Sequence, residues 1–252
     1  MKKICICGGG ALGHVAAGYI AARSKAEVRV LTNHPERWSR SISVHTPEGE
    51  SLIGSLSMIS SSAKDVVTGA DVLLFCLPGF LIKEELEKVK PYLGTDAYVG
   101  TVFSSTGFFF EALKILSPEQ PLWGFQRVPF ISRVVEYGHS ANLLGYKSGF
   151  NITVEHVSDV EKSQFADWVA DAFGRPVHLL RNYLEASLTN SNPILHTSRL
   201  YTLFSDWYEG VRYPSQFAFY DTWDVASAQR LIRMDKEFFD LLDVLPVTKG
   251  YL

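Results

Sequence analysis

The chain has 252 residues, enough for a sizeable core in one large domain or two smaller ones, and is 46% hydrophobic and 20% charged. A net charge of −3 leaves no basic footprint for nucleic acid, and the apolar runs are strand-length and interrupted, so none reads as a membrane span. The basic start Met1-Lys2-Lys3 runs into a glycine-rich turn rather than the apolar core of a signal peptide, and the expected location is the cytoplasm.

The first element is an apolar run, Ile4 to Cys7, which fits a buried strand. It leads into Gly8-x-Gly10-x-x-Gly13 and then an alanine-rich segment over 11–23 that fits a helix. This strand–turn–helix context is what a dinucleotide fingerprint requires. Gly8 would allow the tight turn, Gly10 the approach of a pyrophosphate, and Gly13 close packing of helix on strand. The helix N-terminus, with Ala11 and Leu12, would offer N–H groups and partial positive charge to phosphates.

A second strand is expected at Glu27–Leu31. NAD-binding versions of this arrangement usually carry an acidic residue at its tip, about 20 residues beyond the glycines. Here the tip reads Leu31-Thr32-Asn33-His34-Pro35-Glu36-Arg37, with no acid at the strand end. Thr32, Asn33 and Arg37 could instead receive a 2′-phosphate, so NADP is read ahead of NAD, with a solvated loop charge as the other reading of Arg37. A short β excursion follows over 42–59, turning at Pro47-Glu48-Gly49, and a short helix ends at Asp65–Thr68.

Asp71–Leu77 is an apolar strand stopped by Pro78-Gly79, helix 80–90 carries charge on one face, and Ala97–Phe103 is the next strand. Ligands in open α/β sheets sit beyond the carboxyl ends of the strands. Leu77, Pro78, Gly79 and Ser104, in the loops closing these two strands, should therefore line the nicotinamide and its phosphates. The alternation predicts a doubly wound α/β sheet of Rossmann type.

Residues 121–156 read as a β meander punctuated by Gly138, Gly145 and Gly149. Helix 159–173 and a strand at Val177–Leu180 follow, and from Asn182 the pattern is helical with aromatic residues throughout. The expected division is a dinucleotide-binding domain, 1–180, and a mainly α-helical substrate and catalytic domain, 181–252. The aromatic-rich segment Tyr201 to Trp223 would either cover the cofactor domain or form a homodimer surface.

Cys5, Cys7 and Cys76 all fall in predicted buried strands, with Cys5 and Cys7 on one face. They fit small buried hydrophobes in a reducing compartment. No further Cys or His stands at ligand spacing, so no metal is expected. In Trp123-Gly124-Phe125-Gln126-Arg127-Val128-Pro129-Phe130-Ile131-Ser132-Arg133, two arginines lie in an apolar setting where charge is unfavourable unless paired. Arg127 or Arg133 could hold an acidic substrate bidentately, or form an internal ion pair; Lys147 is a weaker case. The polar run Ser187-Leu188-Thr189-Asn190-Ser191-Asn192-Pro193-Ile194-Leu195-His196 is the best candidate for chemistry. Pro193 starts or kinks a helix there, and His196 stands at i+4 from Asn192, on one face. His196 could carry the proton that reduction of C=O or C=N requires; a core histidine bonded to a backbone carbonyl is the plainer reading. His14 is expected merely to cover its helix.

Taken together, these residues resemble the opine dehydrogenase family of octopine and nopaline dehydrogenase type. The marks are the Gly8–Gly13 fingerprint, the Leu77-Pro78-Gly79 turn and, above all, Asn192-Pro193-x-x-His196, with Tyr220 and Met234-Asp235-Lys236-Glu237 resembling the family's later helices. The resemblance covers nearly the whole chain. It implies reduction, with NADH or NADPH, of the imine formed from an amino acid and a 2-oxo acid, with His196 as acid/base and Asn192 orienting the substrate. It also implies a catalytic aspartate in an Arg-Tyr-x-x-Glu-Asp segment beyond these helices. This chain ends at Leu252 without one, so either a C-terminal part is missing or the chain is a divergent member. Asp206, Asp221 and Asp224 are the nearest acids in sequence, each expected as a surface charge. Two other readings stay open. One is a ketopantoate reductase-like or hydroxyacid dehydrogenase-like enzyme, although no lysine occurs between Ser163 and Lys236. The other is a non-catalytic nucleotide-binding sensor.

Overall fold

A computed structural model describes residues 2–188, 192–213, 215–216 and 218–247. The chain forms two compact units, Met1–Leu188 and Thr189–Leu252. The first thus continues past residue 180 to include a short helix, Tyr183–Ser187 (α6 below).

The first unit is built on an eight-stranded sheet. Its strands are β1 (Lys3–Cys7), β2 (Glu27–Leu31), β5 (Met58–Ser60), β6 (Val72–Phe75), β7 (Tyr98–Thr101), β8 (Leu122–Phe125), β11 (Phe150–Glu155) and β12 (Val177–Leu179), in the order β12-β11-β8-β7-β6-β1-β2-β5. All neighbouring pairs run parallel except β8 and β11. β6, and β1 beyond Lys3, are apolar throughout because both faces are covered, as parallel sheets demand. Alternation along β1 sends Ile4 and Ile6 into one core cluster and Cys5 and Cys7 into the other. The three cysteines are free and buried.

The helices α2 (Ala63–Val67), α3 (Gly79–Val89) and α4 (Phe108–Ile115) contribute to the cluster holding Cys5 and Cys7. The opposite face is covered by α1 (Ala11–Arg23) and α5 (Asp159–Phe173). α5 starts at a complete Ser158–Glu161 capping box and ends on Gly174. α1 is buried at every residue from Gly13 to Ile20. A helix apolar all round is one covered on more than one side. The second cover is a four-stranded sheet, β4-β3-β10-β9, made of β3 (Ser41–His45), β4 (Ser51–Ser55), β9 (Phe130–Glu136) and β10 (Ser140–Tyr146). Gly18 and Gly54 allow that sheet to approach: a Cβ on Gly54 would lie 2.5 Å from the Gly18 carbonyl oxygen.

This corrects the single meander expected over 121–156. β8 and β11 pair with each other in the main sheet, while β9 and β10 leave it as a hairpin, and β10 pairs in parallel with β3. The second unit holds α7 (Asn192–Leu203) and α8 (Val225–Leu242). Its described residues between them are turns and loops, where the sequence pattern read as helical, with Gly210 at a φ of +90°. No helix among the described residues is long and apolar enough to cross a membrane.

Candidate active site

The glycine loop closes as its sequence dictates. Gly8 takes a φ of +123°, open to glycine and strained for other residues, and its N–H donates to the Leu31 carbonyl at 3.0 Å. A Cβ on Gly13 would stand 2.0 Å from the Gly8 carbonyl oxygen, whereas one on Gly10 would meet nothing within 4 Å. Gly13 is therefore required by packing, and Gly10 faces open space. Gly10 is also the N-cap of α1, with no side chain capping it and no acid in the first turn. The positive end of the helix dipole faces that space uncompensated.

The space is a cavity of about 540 Å³ at the carboxyl ends of β6 and β7. Gly10, Ala11, Leu12, Leu77 and Pro78 line it, as expected, together with Cys76, Phe103, Thr106 and, from β9, Arg133. Burial pushes the Cys76 thiol far up, so it is an inert apolar wall rather than a nucleophile. Gly79 lets the turn after β6 close on the loop after β7, since a Cβ there would be 2.8 Å from the Thr106 carbonyl oxygen. Ser104 departs from expectation: it is buried and its hydroxyl donates to the Phe125 carbonyl at 2.7 Å. It holds the loop, and Thr106 reaches the cavity instead.

A smaller hollow of about 130 Å³ joins Gly8, Thr32, Asn33 and Leu77 to Glu84, Glu85 and Lys88 of α3. The charged face of that helix was legible, but nothing local says that it turns toward the glycine loop. Burial pushes the Glu85 carboxyl up, offset in part by Lys88 at 3.6 Å. Arg37 is exposed and does not border this hollow; its guanidinium lies 4.4 Å from the Tyr137 ring centroid. The Tyr137 hydroxyl is in turn 3.4 Å from Thr32 Oγ1.

His14 does more than cover a helix. It is fully buried, with its ring tilted against Trp38 and edge-on to Tyr137. Its Nε2 accepts the Gly138 N–H at 2.6 Å, so Nε2 is bare and the proton sits on Nδ1, which donates to the Gly10 carbonyl at 2.9 Å. Burial lowers its pKa below the ordinary histidine value, with the Gly10 bond acting in the other direction. One neutral imidazole thus ties the tip of the β9–β10 hairpin to the glycine loop. Gly138 has a φ of +77°, and a Cβ there would be 2.0 Å from the Arg37 carbonyl oxygen.

The burial argument for the two arginines does not hold, because both are exposed. Alternation on β9 turns Arg133 outward, and Arg127 follows the last residues of β8 into a loop. They are also apart. Arg133 borders the 540 Å³ cavity, while Arg127 and Lys147 border a separate hollow with Gln126 and Asn151.

In the second unit Asn192 and Pro193 open α7, with His196 one turn on; Thr189, Asn190 and Ser191 lie outside the described residues. Among the described residues, no backbone carbonyl is bonded to His196. Its Nε2 is 3.1 Å from the Tyr220 hydroxyl, and the Phe219 ring stands edge-on to it at 5.4 Å. One turn further on, Arg199 is buried and donates to the Phe219 and Thr222 carbonyls, Thr222 Oγ1, Ser227 Oγ and Asp224 Oδ2. Asp224, expected as a surface charge, caps α8 through the Ser227 N–H at 2.6 Å. Its bonds from Ser227, then from Arg199, hold its carboxyl below the usual carboxylate range.

Gly10's open face, an uncapped helix N-terminus and the adjoining Thr32–Asn33 hollow fit an anionic dinucleotide in the first unit. Comparison with known proteins agrees with this architecture. Residues 4–104 match the ketopantoate reductase PanE/ApbA family model. Octopine dehydrogenase of Pecten maximus is 26% identical over 96% of this chain and 64% of its own length. Opine dehydrogenase of Haliotis discus hannai is 27% identical over 91% of this chain and 62% of its own length. An octopine dehydrogenase structure, in complex with NADH and agmatine, superposes with a TM-score of 0.82 at 24% identity, over 96% of this chain and 64% of that one. The chain is a homologue of the octopine and opine dehydrogenases over nearly all of its own residues, and it spans slightly less than two thirds of their length.

Proposed function

We propose that this chain is an NAD(P)-dependent dehydrogenase acting on CH–NH donors, which reduces the imine formed from an amino acid and a 2-oxo acid. The observation that carries the reading is the glycine loop, with Gly10 facing an open 540 Å³ cavity at an uncapped helix N-terminus. Octopine dehydrogenase structures with NADH and L-arginine, and with NADH and pyruvate, support the choice of an amino acid and a 2-oxo acid.

The N-terminal residues of α1 hold the pyrophosphate, and Thr32, Asn33 and Arg37 receive the ribose or its 2′-phosphate. Leu77, Pro78 and Thr106 wall the nicotinamide end. When bound, the cofactor supplies the hydride. Arg133 holds a substrate carboxylate, because it borders the same cavity as the glycine loop and Arg127 does not. His196 gives its proton to the imine nitrogen as the carbon is reduced, and takes it back in the reverse direction. Asn192 orients the substrate from the same face of α7.

Titration with NADPH and NADH, followed by turnover assays on pairs of amino acid and 2-oxo acid, tests this. Binding of neither nucleotide removes the oxidoreductase reading. His196→Ala should abolish turnover and leave nucleotide affinity unchanged, which also separates the enzyme from a non-catalytic sensor. The family match over residues 4–104 supports a second reading, direct reduction of a 2-oxo acid at C=O. Turnover of the 2-oxo acid with no amine present would select it.

A further inference from the structure

We infer that Tyr220 is the positioning residue of His196, fixing its ring through Nε2 from a loop that Arg199 holds in place. This rests on the role given to His196 above. Histidines that move protons need one ring nitrogen held by a partner, which aims the other nitrogen. Here the partner present is a phenol hydroxyl, 3.1 Å from Nε2. A hydroxyl both donates and accepts, so it keeps the bond whether Nε2 is bare or carries a proton. A carboxylate only accepts, and would hold Nε2 only in its protonated form.

The loop is built for this. Arg199, on the same helix as His196, is 1% exposed and clamps the main chain at Phe219 and Thr222 on either side of Tyr220. It also pairs with Asp224 at 3.0 Å, so these two charges near the histidine are committed to each other. The Phe219 ring, edge-on to the imidazole, blocks rotation on that side. The hydroxyl is thus carried on a braced segment, although the Tyr220 side chain itself is exposed. Exposure also makes Tyr220→Phe a mild change for the fold.

The experiment compares the full chain with Tyr220→Phe and His196→Ala. Ring nitrogen shifts of His196, read by long-range proton–nitrogen NMR without substrate, report the bond at Nε2 directly. The expected result is a hydrogen-bonded Nε2 in the parent and a solvated one in Tyr220→Phe. Turnover of Tyr220→Phe should fall about tenfold in kcat, with KM and nucleotide affinity nearly unchanged. Unchanged nitrogen shifts, or unchanged kcat in Tyr220→Phe while His196→Ala is inactive, overturn the inference and leave the proposed function standing. Full turnover in His196→Ala overturns the proposed acid/base role instead, and the nitrogen shifts then still decide whether Tyr220 fixes the ring.

Discussion

In the Met1–Leu188 unit, Ile4, Ile6, Val72 and Leu74 face one apolar cluster and Cys5, Cys7, Leu73 and Phe75 the other, so each central strand is buried twice. The described residues of the Thr189–Leu252 unit bury Ser198, Arg199, Ser227 and Leu242, and leave Tyr201, Trp207, Tyr208 and Ile232 between 59% and 69% exposed. The first unit is held by hydrophobic area spread over many residues, which is non-directional and tolerant of single losses. The second is held largely by hydrogen bonds converging on one guanidinium, which are directional and fail together. Order in the first is over-determined. In the second it hangs on Arg199, and with it the loop that meets His196.

The sharpest way to break the first unit is therefore geometric rather than hydrophobic. Gly13→Val puts a branched side chain where even a Cβ would be 2.0 Å from the Gly8 carbonyl oxygen. The loop must open, and the N-terminus of α1 loses its aim. We expect NADPH binding to weaken by about a hundredfold or more, with ~3 kcal/mol of stability lost. Fluorescence titration and urea unfolding would check this. Gly10→Ala, which meets no protein atom, should leave stability unchanged within ~0.5 kcal/mol while still weakening the nucleotide.

Arg199→Met keeps bulk and removes every donor. Buried Ser227, with Thr222 and the loop carbonyls, then loses a donor, and α7 and α8 should come apart at a penalty of about 3 kcal/mol. Hydrogen exchange should show α8 losing protection while β1 and β6 keep theirs. Equal loss in both units would mean that their stabilities are not separable in this way.

Much of this was legible in the sequence. Strand-length apolar runs and the spacing of Gly8, Gly10 and Gly13 are local signals, and the elements they mark stand within a residue or two of expectation. Pro193 likewise placed Asn192 and His196 together on one helix. What failed was non-local. Residues 130–146 read only as part of a longer meander, and they do not say that β9 and β10 will leave the main sheet or that Ser140 will pair with Ser43. Arg127 and Arg133 sit in apolar surroundings along the chain but not in space, because strand alternation turns one outward and a loop carries the other away. Tyr137 gave no signal, and Tyr220 was marked only as resembling the family's later helices, because each meets its histidine across a long sequence separation.

His14 sharpens the comparison within the first unit, as a polar tie inside an apolar assembly. His14→Leu fills the space but leaves the Gly138 N–H without an acceptor, which should cost about 1–3 kcal/mol. The pH dependence has a definite sign. The folded pKa lies below the ordinary value of 6.5, so the unfolded chain binds the proton more readily. The contribution of His14 is intact above pH 6.5 and is lost as pH falls from there through the folded pKa. Urea unfolding at pH 7 and pH 5 should show part of the parent's acid sensitivity missing from His14→Leu.

Arg37→Ala is a small change in the fold and the most selective for the ligand. The side chain is exposed and its one described contact is the face of Tyr137, worth about 0.5–1 kcal/mol. Stability should therefore barely move. If the guanidinium receives a 2′-phosphate at the tip of β2, NADPH affinity should fall about tenfold while NADH affinity stays the same, since NADH has no such group. An equal fall for both nucleotides would assign Arg37 to a wall of the adenosine site instead. No change for either would leave it a solvated charge resting on Tyr137. In that case Thr32 and Asn33, which border the hollow beside Gly8, are the residues of the strand tip that meet the ribose.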